Sequence, residues 1–338
     1  DLFGFRRGNI LEPACGIGNF FGLVPERMKK SKLYGVELDS ITGRIARQLY
    51  PEADITVQGF EKTDFPDNFF DLAVGNVPFG EYQLPDRRYD RYKFLIHDYF
   101  FAKALDKVRP GGLVAFITSK GTMDKKGDSV RRYLSQRAVL LGAVRLPNTA
   151  FLKNAGTEAT SDILFFQKRG SLSAEEPEWL KTGETEDGVP VNQYYLEHPQ
   201  MMLGKMAFSR MYGNAQETTC NPTEGTDFEG QLKTALSFVS MPNREELDVD
   251  EPEPEAENPD QRESIPADPD VRNFSYTFIN GGGLYFRENS VMNPVDVSAA
   301  ANGRICGMVG IRDCTRHLID LQMDSADDTA IQGTQERL

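Results

Sequence analysis

Residues 9–168 alternate between short, nearly continuous apolar runs and longer stretches whose apolar positions fall three and four apart. The runs at 9–11, 33–37, 54–58, 71–74, 113–118, 139–145 and 162–168 predict strands buried on both faces. The stretches between them predict helices over 19–30, 40–49, 92–108 and 128–137. The third helix carries Leu95, Tyr99, Ala102 and Leu105 and is expected to stop at Pro110-Gly111-Gly112. This rhythm predicts an α/β fold with a doubly wound, Rossmann-like sheet.

Beyond Arg169 the rhythm fades. Residues 171–190 are polar and acidic, and 191–240 mix helical and loop signals that specify no fold. Residues 244–270 hold 12 acidic and 2 basic residues with five prolines, a composition that cannot bury enough apolar surface to order a chain. Apolar alternation then returns at 274–279 and 284–287, which flank Asn280-Gly281-Gly282-Gly283, a hairpin signal. A helix is expected near 312–323 and a frayed end after it. The expected divisions are an α/β domain at 1–170, an extension at 171–243, an acidic disordered linker at 244–271, a small hairpin-plus-helix region at 272–323 and a tail at 324–338.

Charge refines this division. The formal net charge of −13 argues against a nucleic-acid partner, but it is unevenly spread. Residues 1–170 carry 26 Lys and Arg against 20 Asp and Glu, a net of +6, and the remainder is −19. A nucleic-acid-binding front half with an acidic rear fits that asymmetry. No apolar run approaches the ~20 residues of a membrane span, and no signal-peptide pattern is present, so a cytosolic setting is expected, with no membrane partner. The four cysteines form no CxxC pair. Cys314 and His317 lack two further ligands at zinc spacing, so reduced thiols and no metal are expected. His97, His198 and His317 are scattered and read as structural. The chain opens on Asp1 and reaches a motif almost at once, as a piece of a longer protein would.

That motif is Glu12-Pro13-Ala14-Cys15-Gly16-Ile17-Gly18. A strand running into a glycine loop and then a helix places backbone N–H groups at the carboxyl edge of the sheet, where doubly wound folds bind ligands. A dinucleotide turn wants G-x-G-x-x-G, and here the third glycine, Gly22, comes one residue late. An acid ahead of the turn suits the ammonium of S-adenosylmethionine. Glu37, with Leu38 beside it, closes the second strand, where a carboxylate can accept both ribose hydroxyls; its alternative is an ordinary acid at a helix start. Phe60 can lie against the cofactor's adenine and Glu61 can meet its amino group, although a core phenylalanine explains Phe60 almost as well.

About sixty residues on, Gly75-Asn76-Val77-Pro78-Phe79-Gly80 follows a buried strand. The exocyclic nitrogen of adenine is a weak nucleophile because its lone pair is delocalised into the ring. Two acceptors that draw its N–H bonds out of plane, Asn76 Oδ1 and the Val77 carbonyl, would localise that pair. Phe79 can stack on the base and Pro78 can hold the turn. Catalysis by such a site is positioning and electrostatics, and a base within a duplex must be flipped out to reach it. The alternative is a plain Asn-x-Pro turn. Arg87, Arg88, Tyr89, Arg91 and Lys93 follow directly and can contact phosphates and bases, as can Lys120, or they form a solvated loop. Lys125, Lys126, Arg131 and Arg132 read as a solvated face.

The second motif resembles that of amino-methyltransferases of the Asn-Pro-Pro-Tyr/Phe type, with Val77 replacing the first proline. The order of cofactor loop and catalytic loop resembles the γ arrangement of DNA adenine-N6 methyltransferases. Thr118-Ser119-Lys120-Gly121-Thr122-Met123-Asp124, Arg145-Leu146-Pro147, Thr160-Ser161-Asp162-Ile163-Leu164 and Tyr285-Phe286-Arg287-Glu288-Asn289-Ser290 are similar to the methylase portion of very large methylase–helicase proteins of phages and conjugative elements. The resemblance implies methyl transfer from S-adenosylmethionine to DNA, a role in DNA modification or antirestriction, and a covalently linked helicase. Methylation of an RNA adenine or a protein glutamine, and a non-catalytic DNA-docking module, are the alternatives.

Overall fold

The computed structural model describes residues 3–209, 217–239, 264–268, 271–279, 283–288, 291–295, 297, 299–323 and 328–335. They form two compact units, residues 1–251 and 252–338. The expected linker at 244–271 and the turn residues 280–282 fall largely outside the described residues.

The first unit is built on seven strands: β1 (Asn9–Glu12), β2 (Lys32–Glu37), β3 (Asp54–Val57), β4 (Phe70–Asn76), β5 (Val108–Ser119), β6 (Ala138–Leu146) and β7 (Ser161–Lys168). Their order is β3-β2-β1-β4-β5-β7-β6. The first five run parallel, whereas β7 is antiparallel to both β5 and β6. The sheet is therefore mixed. The loop from β6 to β7 carries only one helical turn, α6 (Leu152–Ala155), too little for a crossover, so the chain returns as a hairpin.

Helices α1 (Asn19–Gly22), α2 (Ser40–Leu49), α3 (Ile96–Lys107), α4 (Gly121–Asp124) and α5 (Ser129–Arg137) connect these strands. The helix expected over 19–30 stops at Gly22, because Pro25 breaks it and starts a separate 3-10 turn at Glu26–Met28. The one expected over 92–108 begins at Ile96, since Lys93 holds a left-handed backbone (φ 54°). It ends at Lys107, and Pro110-Gly111-Gly112 belong to β5, beside a register shift at Phe70/Leu72. Asp39 caps α2 by accepting the Thr42 N–H at 2.7 Å. α3 is buried almost all round. Phe101 meets Phe116 and Phe166, while the buried Lys107 amine donates to the Phe65 carbonyl at 2.6 Å and Asp67 at 2.7 Å.

The described residues of 171–239, for which the sequence pattern specified no fold, include in the same unit β8 (Thr182–Glu184) paired with β9 (Pro190–Asn192), α7 (Gln193–Glu197), β10 (Lys205–Phe208) paired with β11 (Thr218–Asn221), and α8 (Phe228–Ser237). Arg131, read as solvated, is buried here: it donates to the carbonyls of Leu180, Met123 and Lys125 at 2.8–2.9 Å. In the second unit β13 (Tyr276–Ile279) and β14 (Gly283–Glu288) pair antiparallel, as the hairpin signal predicts, between β12 (Ile265–Pro266) with β15 (Val291–Pro294) and a helix. That helix, α9 (Ala299–Met323), starts well before residue 312, and the tail expected to fray contains α10 (Asp328–Gln335).

Candidate active site

β1 and β4 are parallel neighbours, so the glycine loop and Asn76 leave the sheet at the same edge. Between them lies a cavity of about 530 Å³, lined by Pro13, Ala14, Glu37, Leu38, Gln58, Gly59, Phe60, Glu61, Asn76, Val77, Pro78, Phe79, Tyr82, Leu84, Ile96 and Phe100. That volume is within the range of small-molecule sites.

Gly16 and Gly18 both have left-handed backbones, with φ of 56° and 86°. Gly16 has open space where a side chain would go, so its requirement is conformational. At Gly18 a Cβ would also lie 2.6 Å from the Tyr50 ring. The Glu37 carboxylate accepts the Gly16 N–H at 2.8 Å and the Asp39 N–H at 2.7 Å, tying the loop to the end of β2. A carboxylate has about four acceptor positions, which leaves room for two hydroxyl groups. Cys15 does not face the cavity; it packs with Phe21, Ala46 and Ile55, and burial and then Glu12 and Glu37 push its thiol up to about 12.

Glu12 is 2% exposed, and its Oε2 has no hydrogen-bond partner. Its methylene lies under Gly75, where a Cβ would be only 3.3 Å away. Burial, and then the Glu37 charge, raise its carboxyl to about 9. Phe60 is buried against Phe100, with ring centroids 5.1 Å apart. Behind it the Lys103 amine lies 5.2 Å from the ring centroid and donates to the Glu61 carbonyl at 3.1 Å and to Asp86 at 3.2 Å. Asn76, exposed, is the last residue of β4. Val77 is buried, and its N–H donates to the Ile117 carbonyl at 3.1 Å. Phe79 is 39% exposed at the mouth.

A match to the family described as N-6 DNA methylase runs over residues 5–180, more than half of the chain. The chain belongs to the N-6 DNA methylase family. The chain is 34% identical over 182 residues to the Defense against restriction protein B of Escherichia phage P1, covering 52% of the chain and 8% of the relative. It is 20% identical over 186 residues to the MjaIX type I restriction enzyme methylase subunit of Methanocaldococcus jannaschii, covering 45% of the chain and 32% of the relative. The chain thus spans less than a third of the length of either. The M protein of the type I restriction enzyme EcoKI aligns in structure with a TM-score of 0.40 at 19% identity, over 48% of this chain and 40% of that one.

The methyl donor of the family is S-adenosylmethionine. When bound, S-adenosylmethionine supplies a methyl group on a sulfonium, already activated for transfer. The residues that line the cavity and the adjoining strand end and loop fit it. Glu12 is a buried carboxyl with an unsatisfied oxygen, suited to an ammonium; Glu37 has acceptor capacity to spare; Phe60 offers an aromatic wall. Gly16 and Gly18 keep the loop backbone bare.

Glu12 has a consequence for pH. Its raised value means the folded protein keeps a proton that the unfolded chain releases near 4.5, so its contribution to stability is present at low pH and is lost as pH rises through about 9. An ammonium held by Glu12 needs the carboxylate. Cofactor affinity is therefore expected to rise between pH 6 and 8, by up to about tenfold per unit. Calorimetry across that range checks this, and a Glu12→Gln variant that kept the slope would assign it elsewhere.

The basic candidates separate. Arg87, Arg91 and Lys93 are exposed in the 81–95 loop that leaves the cavity. Arg88 is drawn down by Asp67 at 2.8 Å and Asp106 at 2.9 Å. Tyr89 is 3% exposed and donates its hydroxyl hydrogen to Asp106 at 2.6 Å, so it is a core residue and not a surface on which bases stack. Burial lowers the Lys120 amine, which donates to the Thr218 hydroxyl at 3.0 Å. Tyr82, Leu84, Ile96 and Phe100 were not anticipated as cavity walls. Ile96 and Phe100 lie four apart on one helix face, a spacing the sequence does contain.

Proposed function

We propose that this domain transfers the methyl group of S-adenosylmethionine to the N6 amino group of an adenine in DNA, the base being flipped into the Asn76–Phe79 end of the cavity. The observation that carries this reading is that Asn76, Val77, Pro78 and Phe79 line the same cavity as Glu37, Phe60 and Glu61. One end offers partners for a nucleoside, and the other offers two acceptors for a planar amino group. In this reading Asn76 Oδ1 and the Val77 carbonyl take the two N–H groups, and Phe79, half-exposed at the mouth, covers the base. Asn76 keeps its place because the β4–β5 ladder continues through it, opposite Ile117. Arg87, Arg91 and Lys93 serve as phosphate contacts beside the mouth. A helicase joined to the same chain would supply DNA to the site.

Two experiments test the reading. In the first, labelled donor is offered with duplex DNA, RNA and protein acceptors. Label in N6-methyladenine of DNA is expected, and label only in RNA or in glutamine side chains would overturn the substrate. In the second, S-adenosylmethionine is titrated calorimetrically into the protein and into a Gly16→Asp variant. A left-handed residue other than glycine costs about 1–2 kcal/mol, and the new carboxylate adds a negative charge on the residue whose N–H Glu37 accepts. Binding is therefore expected to weaken by at least tenfold. A protein that binds no donor would be a docking module.

A further inference from the structure

Three stretches not used by the proposed chemistry, residues 118–124, 145–147 and 160–164, are distant in sequence and meet at one place. β5 and β6 end there and β7 begins there, at the same edge of the sheet where Asn76 closes β4. Arg145 is fully buried; it donates to both oxygens of Asp162 at 2.8 Å and to Asp124 at 2.6 Å, and lies 4.3 Å from the centroid of the Tyr195 ring. The other Asp124 oxygen accepts the Asn192 N–H at 2.9 Å.

The β10–β11 ribbon sits on this layer. Met206 Sδ is 3.7 Å from Arg145, and Lys120 donates to Thr218. The Cys220 N–H donates to the Thr160 hydroxyl at 2.8 Å, and the Cys220 carbonyl accepts the Asn148 N–H at 2.8 Å. Two-stranded ribbons are marginal on their own in water, and this one is held by these contacts. Apolar packing of equal volume would hold it at lower desolvation cost, whereas the bidentate pair fixes its position.

The ribbon's inner face carries Met206, Cys220 and Thr218, all buried, and Phe208, opposite Thr218, which runs out to solvent at its end. Side chains alternate between faces, so the outer face carries Lys205 opposite Asn221 and then Ala207 opposite Thr219. Ile117, which accepts the Val77 N–H, is three residues before Lys120, so the seat lies about 10 Å along the strand from the catalytic loop.

We propose that this outer face reads base edges of duplex DNA beside the target adenine; the proposal rests on the function given above. A two-stranded ribbon fits the major groove. Asn221 matches the donor–acceptor pair of adenine, Lys205 the acceptors of guanine, and the methyl group of Ala207 that of thymine; the Thr219 hydroxyl is engaged by Thr160 at 3.3 Å. Lys205 is engaged by Asp187 at 2.8 Å, but both are mostly exposed, and such a pair opens at little cost. The chain after residue 170 carries a net charge of −19, which cannot attract phosphates. The ribbon therefore governs choice of sequence, and the front half governs affinity.

The test uses the full protein. Wild type, Asn221→Ala and Lys205→Ala are each incubated with S-adenosylmethionine and a randomised duplex library, and N6-methyladenine is mapped by sequencing. Binding of a fluorescent duplex is followed against salt, and cofactor affinity by calorimetry. Both variants are expected to lose about 5- to 150-fold of discrimination at positions flanking the adenine, with salt slope, cofactor affinity and melting temperature unchanged. Flanking preferences identical to wild type would overturn the ribbon's role and leave the catalytic site standing. A wild type that methylates RNA or protein and no DNA would overturn both.

Discussion

Replacing Asn76 with Ala is expected to reduce methyl transfer by about 100- to 1,000-fold or more while S-adenosylmethionine still binds. The first figure is the usual cost of removing one preorganised polar group that acts mainly in the transition state. Asn76 ends β4 with its backbone paired opposite Ile117, so the substitution removes the side-chain acceptor without disturbing the strand. The Val77 carbonyl alone would then face the amine, leaving its lone pair largely in the ring. The residues proposed to hold the cofactor, Glu12, Glu37 and the glycine loop, are untouched. Single-turnover transfer from labelled donor, beside calorimetry on the same preparation, separates the two effects. Undiminished transfer would remove Asn76 from the mechanism, and lost cofactor binding would mark it as a donor-site residue.

Arg145→Met is expected to destabilise the first unit by about 3–5 kcal/mol, because it leaves the Asp162 and Asp124 carboxyls without their counter-charge. Asp162 is fully buried and takes two hydrogen bonds from this one side chain. The loss corresponds to a fall in melting temperature of roughly 10 °C for a unit of this size. Urea denaturation measures it directly. The double variant Arg145→Met, Asp162→Leu is expected to recover part of the loss, since both buried charges of the bidentate pair are then gone. A single variant within 1 kcal/mol of wild type would show that the pair gives no net stabilisation.

The seven strands of the main sheet were legible because each holds a short apolar run that had to be buried on both faces. What the runs did not encode was direction. β7 reads like its neighbours and is reversed only because the connection before it is too short for a crossover. Helix ends were misread where a single residue decides them, at Pro25 and at Lys93. At the site, Glu12, Gly16, Glu37 and Asn76 could be singled out because each sits at a strand end, where period and motif coincide. The walls supplied by Tyr82, Leu84 and Ile96 could not, since they reach the cavity from an irregular loop and a helix start. Tyr89 failed as a surface candidate for the opposite reason: Asp106, remote in sequence, holds its hydroxyl inward, while Arg88, paired with Asp67 and Asp106, stays half-exposed. The ordering of 171–239 was hidden because contacts to helices remote in sequence fix it: Asn192 donates to Asp124 and to the Met123 carbonyl of α4, and Arg131 of α5 donates to the Leu180 carbonyl.

Val77 stands where the related motif has proline, and its backbone nitrogen donates to Ile117. A proline has no hydrogen to give. The exchange therefore adds a rung to the ladder between β4 and β5, immediately beyond Asn76, the residue proposed to grip the substrate. A ring would stiffen this turn by restricting its own torsion; here the same turn is anchored to its neighbour strand instead. The rigidity of the catalytic loop is thus borrowed from the sheet, and any distortion of β5 would be transmitted to the acceptor pair through that single amide.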